Sequence, residues 1–319
     1  MYAIVADGPD NLTWQQVPDA TPGSGEVLIE VAAAGVNRAD LLQAAGKYPP
    51  PPGASQIIGM EVSGTVVSAG PFAGRQVCAL LAGGGYAEYV AVPEGQVMQL
   101  PDGVGLVDAA GLPEVACTVW SNLVMTAHLR AGQLLLIHGG ASGIGTHAIQ
   151  VAHAVGARVA VTAGSAEKLE VCRELGADIL INYKDEDFVE RIGREGGADV
   201  VFDIMGASYL DRNIDAVAPD GRVVIIGMQG GVKGELVIGK LMAKRAGVLG
   251  TTLRARPVAG PSGKGAVISQ VLQHVWPMIS HRQVRPIIGA ELPVEQASAA
   301  HQLLQAGAVS GKVLLRVAD

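Results

Sequence analysis

The chain has 319 residues, 49% apolar and 17% charged, with 23 Lys and Arg against 30 Asp and Glu and a net charge of −7. At roughly 100–200 residues per domain this length points to two domains, and the composition excludes a disordered chain or a coiled coil. The mild acidity argues against a general nucleic-acid surface. Glycine is the outlier, at 43 residues without a G-X-Y period, and so marks turns and close backbone approaches.

Cys78, Cys117 and Cys172 are too scattered for a disulfide framework or a zinc knuckle, which fits a reducing, cytoplasmic compartment. The opening MYAIVADGPD has no basic region followed by an apolar run, so no secretory leader is expected. The 27 residues between Arg130 and Arg158 carry no charge, but HGGASGIG interrupts them. They read as a buried strand, a glycine turn and a buried helix rather than a membrane span.

In chain order, the first 110 or so residues read as short strands with Gly and Pro corners: 26–35, 61–70, 75–81 and 86–92. This predicts a compact β domain of barrel type. The segment 47–56, KYPPPPGASQ, cannot be regular structure, because four prolines offer no amide donors. From residue 119 the rhythm changes. Apolar runs at 134–138, 158–164, 177–183, 198–205, 221–227 and 247–253 alternate with helix-length segments, as in a parallel sheet covered on both faces. A helix follows at AVISQVLQHVWPMIS, which Pro277 is expected to kink or end. The last strands resemble the N-terminal β material, so the chain is expected to return to its first domain. The expected boundaries are 1–118 with 262–319, and 119–261.

The strongest local signal is LLLIHGGASGIGTHAIQ, a strand running through Gly140, Ala141, Ser142, Gly143, Ile144 and Gly145 into a helix. Gly140 is read as allowing the tight turn and Gly145 as allowing close helix–strand packing, with Ser142 in the middle place of G-x-G-x-x-G. The amides that start the helix suit a diphosphate. The second strand ends in Gly164 and Ser165, with Lys168 one turn on, where NAD sites place an acid. Tyr183, after the next strand, reaches for the same corner. This favours NADPH over NADH, although Ser165 also reads as a helix cap with Glu167 and Lys168 in solvent. Gly206, Gly227 and Met228 close later strands on the carboxyl side of the sheet and are further candidates for cofactor contact.

AAGVNRADLLQAAGKYPPPPGAS (33–55), IIGMEVSGTVVSAG (57–70) and IHGGASGIGTHAIQ (137–150) together resemble the zinc-independent NADPH:quinone oxidoreductases of the medium-chain dehydrogenase/reductase superfamily. The likeness is greatest to the branch with p53-inducible quinone oxidoreductase. YAEYVAVP, GADILINYK, GRVVIIGMQGG and LRARP carry it over essentially the whole chain. The resemblance implies an α/β chain with a GroES-like β-barrel catalytic domain, an inserted doubly wound Rossmann domain, and a homodimer paired through strand 247–253. It implies hydride transfer from NADPH to a small quinone, with Asn37 and Tyr48 beside the nicotinamide as hydrogen-bond donors and Thr118 approaching its ring. The bland reading is that Asn37 caps the helix at RADLLQAAG and Tyr48 packs on Pro49–Pro52. No metal is expected, since Gly59-Met60-Glu61 stands where the zinc relatives have Gly-His-Glu. Asp199, Asp203 and Glu61 read as structural. Two rival functions are reduction of enones or other activated alkenes, and a non-catalytic dinucleotide binder of crystallin or RNA-binding type. No nucleic-acid or membrane partner is expected.

Overall fold

The computed structural model describes residues 1–317. They form two compact units, one from Met1–Cys117, Leu253–Arg282 and the chain from Pro286, the other from Thr118–Thr252 and Gln283–Arg285. Leu253 returns to the first unit earlier than the expected boundary at 262, because Arg254 is anchored there by hydrogen bonds to Gln43, Tyr48 and Ala82.

The strands are, in chain order, β1 (Tyr2–Ala6), β2 (Leu12–Gln16), β3 (Glu26–Val36), β4 (Glu61–Val66), β5 (Gln76–Leu80), β6 (Tyr89–Pro93), β7 (Val97–Gln99), β8 (Leu134–His138), β9 (Arg158–Ala163), β10 (Ile179–Asn182), β11 (Ala198–Asp203), β12 (Val217–Ile225), β13 (Gly247–Gly250), β14 (Ile288–Pro293) and β15 (Lys312–Arg316). The helices are α1 (Arg38–Ala44), α2 (Pro113–Val119), α3 (Gly143–Ala154), α4 (Ala166–Glu174), α5 (Phe188–Gly193), α6 (Leu210–Ala216), α7 (Ile238–Lys244), α8 (Lys264–Ser280) and α9 (Ala297–Ala306).

In the first unit β1 and β2 form an antiparallel hairpin, and a seven-stranded sheet runs β14-β15-β3-β4-β5-β7 with β6 on β3. The long β3 pairs β6 over Glu26–Glu30 and β15 over Ala33–Val36, with a register shift between Val31 and Ala33 opposite β4. Such a bulge bends a strand and lets it serve two neighbours along one edge. The C-terminal strands thus rejoin the N-terminal β material, as expected. Four prolines leave Pro49–Pro52 outside helix and strand. Pro277 does not end α8. It sits in the final turn, where it removes only the one bond its amide would make to the Gln273 carbonyl, and its own carbonyl accepts the His281 amide at 2.9 Å.

The second unit holds a six-stranded, all-parallel sheet in the order β10-β9-β8-β11-β12-β13. By order of appearance this is 3-2-1-4-5-6, the doubly wound arrangement whose strand order reverses between its first and fourth strands. Every residue of β8 is buried, as a strand covered on both faces requires. Leu135, Leu136 and Phe202 are wholly enclosed, and full burial of such side chains contributes roughly 1.5–3 kcal/mol each. No helix among the described residues is long and apolar enough to cross a membrane.

Candidate functional site

At the carboxyl end of β8 the chain turns sharply into α3. The left-handed residue is Gly139 (φ 73°), not Gly140, to which the sequence reading gave the turn. Gly140 is needed for a different reason: a Cβ there would stand 2.7 Å from Val161 Cβ and 3.0 Å from Cys172 Sγ. Gly145 lets α3 approach the turn, since a Cβ would lie 2.5 Å from the Gly140 carbonyl oxygen. Ser142 adopts ordinary extended backbone (φ −70°, ψ 167°), so the departure from glycine causes no strain. Its hydroxyl donates to the Gly139 carbonyl at 2.7 Å and accepts the Gly145 amide at 3.0 Å, capping the helix. The Gly143 and Ile144 amides belong to the first turn, which has no carbonyl to offer them, and no acid occupies that turn. An uncharged cradle of this kind accepts an anion through backbone dipoles.

The turn rests on a buried side-chain layer. The Thr162 carbonyl accepts the Gly139 and Gly140 amides at 3.1 and 3.0 Å. His138 donates from Nε2 to Asn213 Oδ1 at 2.8 Å, and its Nδ1 accepts from the Thr162 hydroxyl at 3.1 Å. Burial pushes its pKa down to about 4, so the ring is neutral and this tautomer is fixed by its partners.

The ends of β9 and β10 meet at the second corner. Gly164 packs against the Tyr183 phenol, with a Cβ there falling 2.8 Å from Tyr183 Cζ. Ser165 caps α4, its hydroxyl oxygen accepting the Lys168 amide at 3.4 Å. Glu167 is exposed, as the capping reading expects. Its own amide and then the Ser165 hydroxyl hydrogen-bond its carboxylate and hold it below the usual range. Beyond the switch in strand order, Asp203 accepts the Met205 and Gly206 amides at 2.7 and 3.0 Å, closing the turn after β11. Gly206 (φ 72°) lies against Gly227 and Met228, where a Cβ would come within 3.1 Å of Met228 Cα. Met228 is 59% exposed. The structure therefore gathers Gly140, Ser142, Gly143, Ile144, Gly145, Gly164, Ser165, Lys168, Tyr183, Gly206, Gly227 and Met228 at the carboxyl ends of one parallel sheet. Thr118 is carried by α2 instead. It is buried, and its carbonyl accepts Asn122 Nδ2 at 2.8 Å where the helix widens into the π-helical turn Trp120–Thr126.

The first unit holds Asn37 and Tyr48. Asn37 precedes α1 in a capping-box arrangement, its amide donating to Asp40 Oδ2 at 2.8 Å. Its side-chain amide is committed inward, to Glu61 Oε1 at 2.9 Å and the Gly35 carbonyl at 3.3 Å. Lys312, 4% exposed, donates to Asn37 Oδ1 and Glu61 Oε1, both at 2.6 Å, and to the Val36 carbonyl at 3.1 Å. Glu61 also accepts the Glu114 amide at 2.9 Å. Every donor of the ammonium is thus used, which offsets the cost of burying the ion pair. Gly35 is glycine because a Cβ would press on this carboxylate and lie 2.6 Å from the Ala110 carbonyl. Next to this pair, Tyr86 donates to Asp40 Oδ2 at 3.2 Å and faces His301 Nε2 at 3.3 Å. Burial pushes Asp40 up to about 7 and His301 down to about 4. Glu61, Asp199 and Asp203 all have the structural roles expected of them, Asp199 accepting the Leu134 amide at 2.7 Å.

Both hydrogens of the Asn37 amide are spent on protein acceptors, so its expected role as a donor to substrate is not supported by the geometry. Tyr48 is half-buried, with its carbonyl bound by Arg254 at 3.2 Å and its ring 5.1 Å from the Arg254 guanidinium carbon. Lys312, Asp40, Tyr86, His301 and Arg254 were not singled out from sequence. Only Arg254 left a signal, as a charge just beyond an apolar strand.

Two family descriptions match the chain: "Alcohol dehydrogenase GroES-like domain" over residues 23–102 and "Zinc-binding dehydrogenase" over residues 143–262. The residues present do not fit the zinc of the second. Among the described residues no three His, Cys, Asp or Glu side chains converge, Met60 is buried, and Glu61 is held by Lys312. The crystal structure of the quinone oxidoreductase from Thermus thermophilus, solved also with NADPH, is 32% identical, with 99% of this chain and 100% of that chain covered and a TM-score of 0.84. The quinone oxidoreductase of Mus musculus is 28% identical over 97% of this chain and 94% of its own length. A 2-haloacrylate reductase from a Burkholderia species is 29% identical over 97% of this chain and 96% of its own. With the two matched domains and full-length likeness at this level, the chain belongs to the medium-chain dehydrogenase/reductase superfamily and is an oxidoreductase of that superfamily.

Proposed function

We propose that the chain is an NADPH-dependent, zinc-independent quinone oxidoreductase of the cytoplasm. The observation that carries the cofactor assignment is the corner after β9, where Gly164 and Ser165 occupy the place of a ribose-binding acid and Tyr183 covers Gly164. The amides of Gly143 and Ile144 would hold the diphosphate, with Gly206, Gly227 and Met228 along the later strand ends and Thr118 toward the nicotinamide. The likeness to quinone oxidoreductases supports the acceptor, and the sequence resemblance of residues 33–55, Pro49–Pro52 included, is the ground for placing it in the p53-inducible branch.

When bound, the nicotinamide supplies a hydride. The residues of the chain orient the acceptor and meet the negative charge that develops on its oxygen. Tyr48 has the hydroxyl for that role and we assign it as donor. Asn37 serves indirectly, by holding the Glu61–Lys312 pair beneath α1. A quinone needs no Lewis acid, because one hydride and one proton give an aromatic hydroquinone.

Steady-state rates with NADPH and NADH against 1,2-naphthoquinone, 1,4-benzoquinone and a short enone test the assignment. Fast quinone turnover with NADPH is expected, unchanged by EDTA and without stoichiometric zinc in the purified protein. A second reading, reduction of activated alkenes, is favoured by the likeness to the 2-haloacrylate reductase, and enone turnover outpacing quinone turnover would establish it. Binding of NADPH with no turnover of either would leave a non-catalytic binder.

The chain is further proposed to pair as a homodimer through β13, which is the edge of the parallel sheet. Val232, Leu236, Val237, Ile238 and Met242, on the segment leading into that strand, are exposed. Open edges and apolar surface of this kind invite a second copy. Light scattering should give twice the chain mass.

A further inference from the structure

We infer that Arg254 is a positioning residue for Tyr48, fixing the proline segment that carries it and thereby setting acceptor affinity; this rests on the role given to Tyr48 above. Arg254 is 5% exposed and has no carboxylate within ion-pair distance among the described residues. Its Nε donates to the Ala82 carbonyl at 2.8 Å, one terminal nitrogen to the Tyr48 carbonyl at 3.2 Å, and the other to Gln43 Oε1 at 2.6 Å. Its guanidinium also lies over the Tyr48 ring, at 5.1 Å. That separation is within the range of a cation–π contact.

Gln43 completes the device. Its side-chain oxygen receives Arg254, while its nitrogen donates to the Gln56 carbonyl at 2.9 Å. One Arg–Gln pair therefore grips both ends of the segment between Tyr48 and Gln56. The segment cannot hold itself. Pro49–Pro52 have no amide hydrogens, and its internal backbone bond is Ala54 to the Pro51 carbonyl at 3.0 Å.

A buried cation without an ion-pair partner is costly, and neutral groups would suffice to tie down an inert loop. What the guanidinium adds is a planar fork that satisfies three acceptors in fixed directions while covering an aromatic face. A lysine ammonium cannot reproduce that. The arrangement is accounted for if the orientation of the Tyr48 phenol matters.

The test compares Arg254→Ala, Arg254→Lys, Tyr48→Ala and the Arg254→Ala/Tyr48→Ala double variant, with Arg256→Ala as a control on the same segment. Arg254→Ala should raise the quinone KM by about tenfold with kcat changed by less than about threefold, and the double variant should be no worse than Tyr48→Ala alone, as expected for residues acting as one unit. Arg254→Lys should not restore KM. The Kd for NADPH, measured by fluorescence titration, should be unchanged in all of them, and Arg256→Ala should behave as wild type. Amide exchange of the peptide spanning 47–56 should quicken in Arg254→Ala. That readout needs no acceptor, so it scores the clamp even if the wild type reduces no quinone and the function proposed above falls. If Arg254→Ala folds poorly, Gln43→Ala breaks the same grip and should raise KM in the same direction. Independent, multiplying losses in the double variant, or faster exchange with KM unchanged, would overturn the inference.

Discussion

The two units build their polar sites from opposite materials. The glycine turn of the second unit presents backbone amides, has no acid in its first helical turn, and needs only small residues that let main chains approach. The first unit instead encloses charged side chains, Glu61 with Lys312 and Asp40 with Tyr86 and His301. Backbone dipoles are fixed by secondary structure and cost nothing further to orient. A buried side-chain network is stable only when each member keeps all of its partners.

The largest effect should come from breaking that network. Lys312→Met leaves the Glu61 carboxylate buried with Asn37 and the Glu114 amide but no cation, and should cost about 3–5 kcal/mol. Pairing it with Glu61→Gln should recover most of the loss in urea unfolding followed by tryptophan fluorescence. The backbone-built site should behave differently. Gly145→Ala forces a Cβ to 2.5 Å from the Gly140 carbonyl, and should cost about 1–3 kcal/mol while abolishing dinucleotide binding. If Lys312→Met is tolerated and Gly145→Ala still binds cofactor, the contrast between the units is wrong.

A subtler probe is pH. Asp40 is buried with Asn37, Tyr86, Glu61 and Lys312 around it, and burial pushes its carboxyl up from 3.8 to about 7. Between those values the folded state binds the extra proton, so this group lowers stability as pH rises from about 4 to about 7. His301, pushed down to about 4, has the opposite sign, since the unfolded state binds its proton between about 4 and 6.5. The two slopes oppose each other. Asp40→Asn removes only the first, so its stability relative to wild type should climb with pH across that window, by at most about 1.4 kcal/mol per unit. A relative stability that is flat between pH 4 and 7 would show that Asp40 titrates near its ordinary value.

The same contrast explains what could be read from sequence. The turn was legible because strand, glycines and helix are contiguous over 134–154, and the alternation of apolar runs dictated the parallel sheet. Even there, the left-handed position went to Gly140 rather than Gly139, since adjacent glycines look alike until backbone angles are known. The network was illegible because its members come from positions 35–40, 61, 86, 114, 301 and 312, brought together by the pairing of β4 and of the returning β15 with β3 and by α9. No local spacing connects Lys312 to Glu61. Asn37 and Glu61 each stand out in the sequence, but nothing there joins them, and it is Glu61 and the Gly35 carbonyl that consume the donors a substrate would need.

The smallest expected effect, and the one that most sharpens the picture of the backbone-built site, concerns the 2′-phosphate corner. Ser165 and Lys168 are the residues expected to meet that group. In the structure the Ser165 oxygen accepts the Lys168 amide, and the exposed Glu167 carboxylate, held below its usual range by its own amide and the Ser165 hydroxyl, stands beside it. A 2′-phosphate at this corner would face the exposed Glu167 carboxylate beside Ser165, which weakens NADPH relative to an uncluttered corner. Phosphate gains charge-assisted hydrogen bonds from Ser165 and Lys168, but solvent screens the lysine. We expect NADPH to bind about tenfold tighter than NADH, or about 1.4 kcal/mol. Lys168→Ala should erase most of this preference without altering NADH. Glu167→Gln should move the other way, tightening NADPH a few-fold by removing a like charge. Gly164→Asp brings back a carboxylate, but its Cβ also collides with the Tyr183 phenol, so it should weaken NADPH strongly and NADH slightly. Fluorescence titration of both cofactors against the four proteins measures this. If Glu167→Gln leaves the NADPH affinity unchanged while Lys168→Ala lowers both cofactors alike, the phosphate does not bind at this corner.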